Sequence, residues 1–441
     1  MFQAKSWWIE EIARTIKVNN PLADENSADV AIIGGGFTGL SSAIHLKEIN
    51  PTLDVALLES DYCGHGASGR NGGFSMTLFG LTKGITKFRF GTKKTVIAHQ
   101  YMEEAVDYLD AFIGKHKLKC DYEKSGYLLV ATSKAQIKRL EHEFKLAENL
   151  GLQGIERWER DRLAGEFKTD SYKLGWFEPR CGILQPAKLA QELKRLAEKK
   201  GVRIYENSPV LKLKRGTDKN YIVTTEKGTM QSEYLIAATN AYSVLLNKIK
   251  SKQVPVFTHI ALTEPLSATQ LKSIGWKNRC GIEDARDFIH YYRLTADNRI
   301  AMGGGDVTVT FGKNMNKDRN EKIFKLLHEQ IVKVFPQLKG IKITHTWGGP
   351  VSITMDMAPG VGYLDVNKKG IYSVGCMGHG VSMTMLNGKT FAEMICGKKT
   401  KNTEIFFMNR TIFPWPPEPL KSGITHGIRG LMKFEDAVFY K

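Results

Sequence analysis

The run "DVAIIGGGFTGLSSAIHLKEI", residues 29–49, constrains the fold of this 441-residue chain more than any other stretch. A β-branched segment leads into Gly34, Gly36 and Gly39 at G-x-G-x-x-G spacing, and a helical run follows. A second strand-like run, "DVALLE" (54–59), closes on Glu59, twenty residues past Gly39. A lone glycine pattern says little. Strand, glycine turn, helix and strand-ending acid in this order predict a βαβ dinucleotide fingerprint. Gly34 permits the tight turn, Gly36 lets the backbone approach a pyrophosphate at the positive helix N-terminus, and Gly39 allows close helix–strand packing. Phe37 and Thr38 lie inside the fingerprint and join the candidate cofactor-binding residues. The Glu59 carboxylate is placed to accept adenosine ribose hydroxyls. The fingerprint by itself leaves FAD and a nicotinamide dinucleotide open. No second βαβ fingerprint occurs, because "MGGGD" (302–306) follows a hairpin strand and opens no helix.

Two further stretches suit the same ligand. "GASGRNGG" (66–73) begins shortly after Glu59, on the pyrophosphate side of the sheet. Its small residues let main-chain N–H groups face a ligand, Ser68 adds a hydroxyl donor, and Arg70 would stand near a redox ring, where fixed positive charge stabilises an anionic reduced flavin. "YSVGCMGHGVSMTMLNG" ends a strand at Gly375, passes Gly378, His379 and Gly380, and enters a helical run. Such a helix N-terminus supplies N–H donors and partial positive charge to a flavin pyrimidine. His379 need not titrate for this.

Composition excludes little. The balance of 63 basic against 46 acidic residues gives +17, yet the lysines are dispersed and no block of five or six bases occurs. A solvated basic surface, attraction of an anionic small molecule and RNA binding all fit such a charge. No apolar run reaches the length of a membrane span. The opening "MFQAKSWWIEEIARTIKVNN" has acids where a signal peptide needs an apolar core, so export is not expected. Six scattered cysteines without a CxxC pair indicate neither a metal site nor a disulfide framework, and read as reduced thiols in a cytoplasmic protein.

The alternation of elements predicts an α/β fold, a Rossmann-like dinucleotide-binding domain interrupted by an antiparallel-sheet α+β substrate domain. The expected dinucleotide-binding part comprises 1–85, 182–250 and 345–400, and the substrate part 86–181 and 251–344. Residues 401–441 form a tail packing on the body. Within the insert, "FIHYYRLTADNRIAMGGG" (288–305) reads as a hairpin turning near Ala296–Asn298.

In order along the chain, "VAIIGGGFTGLSSAIHL", "GHGASGRNGG", "GYLLVA", "GILQPAKLAQELKRLAEKKGVRI", "LIAATNAY" and "GCMGHGV" resemble the D-amino-acid oxidase/glycine oxidase superfamily, and most of all its γ-glutamylputrescine-oxidase-like branch. The resemblance implies FAD, and so a Rossmann-like FAD-binding domain, with Ala67, Ser68, Arg70, Asn71, Gly72 and Gly73 wrapping pyrophosphate and flavin, and the Val210 backbone meeting the adenine. The sarcosine-oxidase-like branch attaches its flavin to a cysteine in the segment reading "GGPVSITMDMAPG" here, which contains none, so the flavin is expected to be non-covalent. That branch's carboxylate-binding lysine is replaced by Val381 and Ser382, and its oxygen-activating lysine falls near Ala301, where no lysine occurs. Sarcosine is therefore disfavoured.

The chemistry implied is two-electron oxidation of a C–N bond. Hydride leaves the α-carbon of a primary or secondary amine for flavin N5, and water hydrolyses the imine. A γ-glutamylputrescine-like amine, an amino acid or an anionic amine such as an aminophosphonate all suit this reading, with O2 or a quinone as electron acceptor. Candidate substrate residues are Tyr291 and Arg293, which alternation puts on one face of the hairpin, and His259 on a neighbouring strand. Arg293 would clamp an anionic group, or else pair with an acid such as Asp287. Alternatives are a D-amino-acid dehydrogenase that reduces a quinone and an RNA-modifying flavoprotein.

Overall fold

The computed structural model describes residues 5–216 and 220–440; residues 1–4, 217–219 and 441 lie outside it. Two large sheets organise the described residues. In the first, the strands run in the order Gly360–Tyr363, Gly370–Val374, Gly228–Ala237, Asp24–Ile33, Val55–Leu58 and Arg203–Tyr205. Asp24–Ile33 is flanked by parallel partners on both sides. Its last four residues are fully buried, as expected for a strand covered by helices on both faces. The helix Phe37–Ile49 packs on it and is buried from Phe37 to Leu46.

The second sheet has nine strands and is antiparallel except where Gly281–Asp284 runs parallel to Tyr127–Ala131. The predicted hairpin is its centre: His290–Leu294 pairs with Ile300–Gly304, and Asn298 sits in the turn at φ +63°. The long strand Ile343–Ile353 crosses the expected domain boundary at 344/345 and pairs with Val254–Thr263 along its whole length. It thereby carries the chain from the antiparallel sheet back to the parallel one. The helix Trp7–Ile12, capped by the Ser6 hydroxyl, lies across the seam, with Trp8 edge-on to Trp347 at 5.9 Å. The tail helix Leu420–Val438 packs over the antiparallel sheet. Among the described residues no helix is long and apolar enough to cross a membrane.

One ion pair is sealed between the elements around the fingerprint. Lys194 Nζ lies 2.6 Å from Glu206, whose carboxylate also accepts the Asn19 and Cys63 N–H groups at 2.6 Å each. Both side chains are buried. Removing one member of such a pair strands the other charge. Lys194→Met is therefore expected to lower unfolding stability by about 3 kcal/mol, whereas removal of the exposed Arg195–Glu192 pair should change it by less than about 1 kcal/mol. Urea denaturation of the two variants measures the difference.

Candidate active site

Two helices open onto one space. Phe37–Ile49 starts from Gly36 and Gly380–Ile395 from His379, and neither N-cap residue caps its helix with a side chain. At residue 39 a Cβ would lie 2.0 Å from the Gly34 carbonyl oxygen, so only glycine permits this helix–strand approach. Gly34 itself has φ +108°, which a side chain would resist. Ser68 reaches the same helix from the glycine loop, its Oγ accepting the Phe37 N–H at 3.0 Å. The Glu59 carboxylate accepts Gly35 N–H at 2.7 Å, the Ser60 hydroxyl and the Asp61 N–H, which fixes the turn. Burial raises its pKa above the ordinary carboxyl value, against those donors.

Across the gap, the neutral His379 ring donates from Nδ1 to the Gly80 carbonyl at 3.0 Å, and burial lowers its pKa to about 4. It holds the second helix start in place and does not titrate near neutrality. Next to it, open space surrounds the position a Gly378 Cβ would occupy.

Between these helix starts and the antiparallel sheet lies a cavity of about 700 Å³. Strand register shows how its floor is built. Trp176 faces Leu129, Leu129 faces Glu283, Glu283 faces Tyr291 and Tyr291 faces Gly303. Gly303 leaves room for the phenol, because a Cβ there would strike the Tyr291 ring at 2.3 Å. Two carboxyl groups stand on this floor. Glu178 takes the Trp176 indole N–H at 2.7 Å and the Thr77 hydroxyl. Glu283 takes the Tyr127 hydroxyl at 2.7 Å. The tail helix supplies a further wall through Arg429, Met432 and Glu435.

The model of the family described as FAD dependent oxidoreductase matches residues 29–394. The chain belongs to that family. It is 33% identical over 397 residues to the γ-glutamylputrescine oxidoreductase of Escherichia coli (strain K12), covering 90% of this chain and 89% of that protein. The sarcosine oxidase β subunit of an Arthrobacter species is 25% identical over 76% of this chain and 79% of its own length. Among solved structures, glycine oxidase from Geobacillus kaustophilus superposes with a TM-score of 0.73 at 17% identity, covering 88% of this chain and all of that one. The remaining N–H groups of the two helix starts, the bare approach at Gly378 and the Ser68 hydroxyl form a donor set that fits the phosphates and ring of FAD.

The structure brings Phe37, Ala67, Ser68, Arg70, Asn71, Gly72, Gly378, His379, Gly380 and Tyr291 together around the cavity. Arg70 is buried and donates to the His65 carbonyl at 2.8 Å, with Tyr242 Oη at 3.3 Å. Part of the bare loop serves the protein itself. A Cβ at Gly72 would meet the Tyr291 ring at 2.9 Å, and one at Gly73 the Leu184 carbonyl at 2.1 Å. The Gly73 N–H is taken by Asn71 Oδ1. Thr38 is buried in the helix, and Val210 lies outside the cavity, packed beside the parallel sheet.

Two expected substrate residues fall elsewhere. His259 is on the strand face opposite the cavity, where its Nε2 meets the Lys317 carbonyl at 3.2 Å and its ring abuts Phe324. Thr258, one position earlier, lines the cavity instead. Arg293 shares its face with Tyr291, but Trp8 covers it, its guanidinium 5.4 Å from the ring, and it donates to the Leu184 and Leu294 carbonyls. Burial lowers its pKa to about 10. It does not line the cavity, and Asp287 pairs with Arg139 at 2.7 Å rather than with Arg293.

Sequence reading passed over Glu283, Glu178 and Asp306. Asp306 binds Arg429 at 2.7 Å and Lys433 at 2.9 Å, tying the tail helix over the cavity. Asp306→Asn is expected to speed tryptic cleavage at Arg429 and Lys433 severalfold, because local opening governs such cuts. Unchanged cleavage would assign the anchoring to other contacts. Burial pushes the Glu283 carboxyl up to about 7, against the Tyr127 hydrogen bond. The folded state then binds more protons than the unfolded one between the ordinary carboxyl value and pH 7, so ionised Glu283 destabilises the protein at higher pH. Glu283→Gln should leave stability near wild type at pH 5 and raise it by up to about 3 kcal/mol at pH 8, as measured by denaturant melts at both values.

Proposed function

We propose that this protein oxidises a C–N bond of a primary or secondary amine with non-covalently held FAD, in the manner that the name of its 33%-identical relative states for γ-glutamylputrescine. The observation that carries the reading is the cavity, with backbone donor cradles on one wall and carboxyl groups on the facing floor. The first suits an anionic dinucleotide and the second suits a cationic amine. The absence of cysteine from residues 348–360 supports a flavin held without a covalent bond.

Bound FAD supplies the two-electron acceptor for the C–N oxidation. The chain does the rest by placement. Gly36 and the Ser68 hydroxyl, which the Phe37 N–H positions, would hold phosphate, and the helix start at Gly378–Gly380 would direct N–H groups to where negative charge accumulates. Arg70 stands on the same wall as a fixed positive charge, and Glu59 closes the fingerprint turn. Tyr291 and Thr258 line the substrate side. The tail helix and Trp176 restrict water, so that amine and ring meet in a confined space. In this reading residues 1–85, 182–250 and 345–400 hold the cofactor, with the segment up to 353 shared with the substrate sheet, and 86–181 with 251–344 hold the amine.

Anaerobic mixing of the flavin-loaded protein with polyamines, γ-glutamylputrescine, D-amino acids and aminophosphonates tests the proposal. Amines are expected to bleach the yellow colour and aminophosphonates are not, since Arg293 is sealed from the cavity. Recolouring in air identifies oxygen as acceptor, and recolouring only with a quinone identifies a dehydrogenase. A pure protein that holds no flavin, or a flavin that no amine bleaches, overturns the reading.

A further inference from the structure

Among the described buried acids Glu283 has the fewest partners: Glu59 has three donors, and Glu393 has Lys389 at 3.9 Å and the Thr400 hydroxyl. Glu206 has Lys194, Asp284 has His290 at 2.9 Å and Arg286 at 3.3 Å, and Asp306 has Arg429 and Lys433. Glu178, also on the cavity floor, has a donor on each oxygen. Glu283 has one, the Tyr127 hydroxyl on Oε2, and among the described residues no cation pairs with it. The groups facing it are the phenols of Tyr127 and Tyr291 on the flanking strands, Asp284 beside it on its own strand, and Glu178 across from Tyr127. None of these carries positive charge, and Asp284 opposes its ionisation. Among the described residues the Tyr291 hydroxyl makes no hydrogen bond to it, and Tyr127 is its one side-chain donor.

A buried carboxylate with neither a counter-ion nor a full set of donors is either held protonated or stabilised by a cation that enters. Glu283 faces the cavity from the middle of the floor, beside Tyr291 and opposite the wall that holds the cofactor.

We propose that Glu283 is a catalytic residue that receives the substrate amine: its carboxylate pairs with the entering ammonium and takes one proton from it. The step is R–CH2–NH3+ plus Glu–COO− giving R–CH2–NH2 plus Glu–COOH. One N–H bond breaks, one O–H bond forms, and the nitrogen lone pair is freed before the C–N bond is oxidised. The inference rests on the amine reading above. Its carboxyl, poised near neutrality, suits this exchange, since it is ionised often enough to bind the cation and basic enough to take the proton.

The test uses tert-butylamine, which has no α-hydrogen and cannot be oxidised, so that binding is read without turnover. Calorimetric titration of the flavin-loaded protein should show affinity rising from pH 6 to pH 8 in wild type. Glu283→Gln should weaken binding at pH 8 about tenfold or more, and Glu283→Asp should restore part of it. With an amine that bleaches the flavin, the rise of kcat/KM through pH 7 should vanish in Glu283→Gln. Equal tert-butylamine affinity in wild type and Glu283→Gln overturns the proposal. So does a pH-independent affinity of wild type, which decides the matter even if the variants lose FAD or fold poorly. If no amine bleaches the wild-type flavin, the amine reading fails on its own experiment. If amines bleach both proteins with the same pH profile, the Glu283 assignment alone fails.

Discussion

The closeness of one helix to one strand is the constraint on which the site depends. A methyl group at residue 39 would stand 2.0 Å from the Gly34 carbonyl oxygen, inside any permissible contact. With hydrogen there instead, the helix Phe37–Ile49 lies against Asp24–Ile33 and its first N–H groups open at the sheet's end. Ser68 then has a helix start to bond, the glycine loop has a position, and Arg70 comes to the same wall. Each later placement inherits the first. The second helix start, held by the His379–Gly80 hydrogen bond, acts at the same cavity only because the first is where it is.

The first βαβ unit was legible because its signals are local. β-branched periodicity, three glycines and a terminal acid lie within thirty-one residues, and the helix runs over the stretch read for it, Phe37–Ile49. The hairpin and its turn were legible for the same reason. His259 was misplaced because Val254–Thr263 is buried on nearly every position and offers no amphipathic alternation to tell one face from the other. Arg293 was assigned to the right face, yet the covering Trp8 lies far away in sequence and no local pattern announces it. The glycine loop was recognised as bare, but much of that bareness accommodates Tyr291, Leu184 and Arg293. The only available sign of Glu283 was an acid inside a strand-like run, "GIEDA", which is weak until strand register puts it beside Tyr291.

Net charge and site charge are separate quantities here. The chain carries +17, and a large basic excess invites the thought of an anionic ligand. The floor of the cavity has the opposite sign. Glu178 and Glu283 occupy it, with Lys83 over the Trp176 ring; Arg139 and Arg286 are matched to Asp287 and Asp284, and Arg429 and Lys433 of the tail helix to Asp306. Summed charge governs solubility and long-range encounter, whereas a buried site is governed by the few groups within its own low-dielectric walls.

The two floor carboxyls therefore differ in kind. Glu178 has a fixed donor on each oxygen, an indole N–H and a hydroxyl. Glu283 has one phenol and a neighbouring acid, so its ionised form is raised in energy by burial until a cation enters. Such a group links occupancy to charge: the penalty stored in the empty site is relieved in the filled one. A proton delivered to it by an ammonium also neutralises the floor at the moment the amine must be uncharged. The neutral His379 opposite leaves the cofactor wall to act through backbone dipoles and Arg70, neither of which exchanges a proton near neutrality, so the proton stays on the substrate side of the cavity.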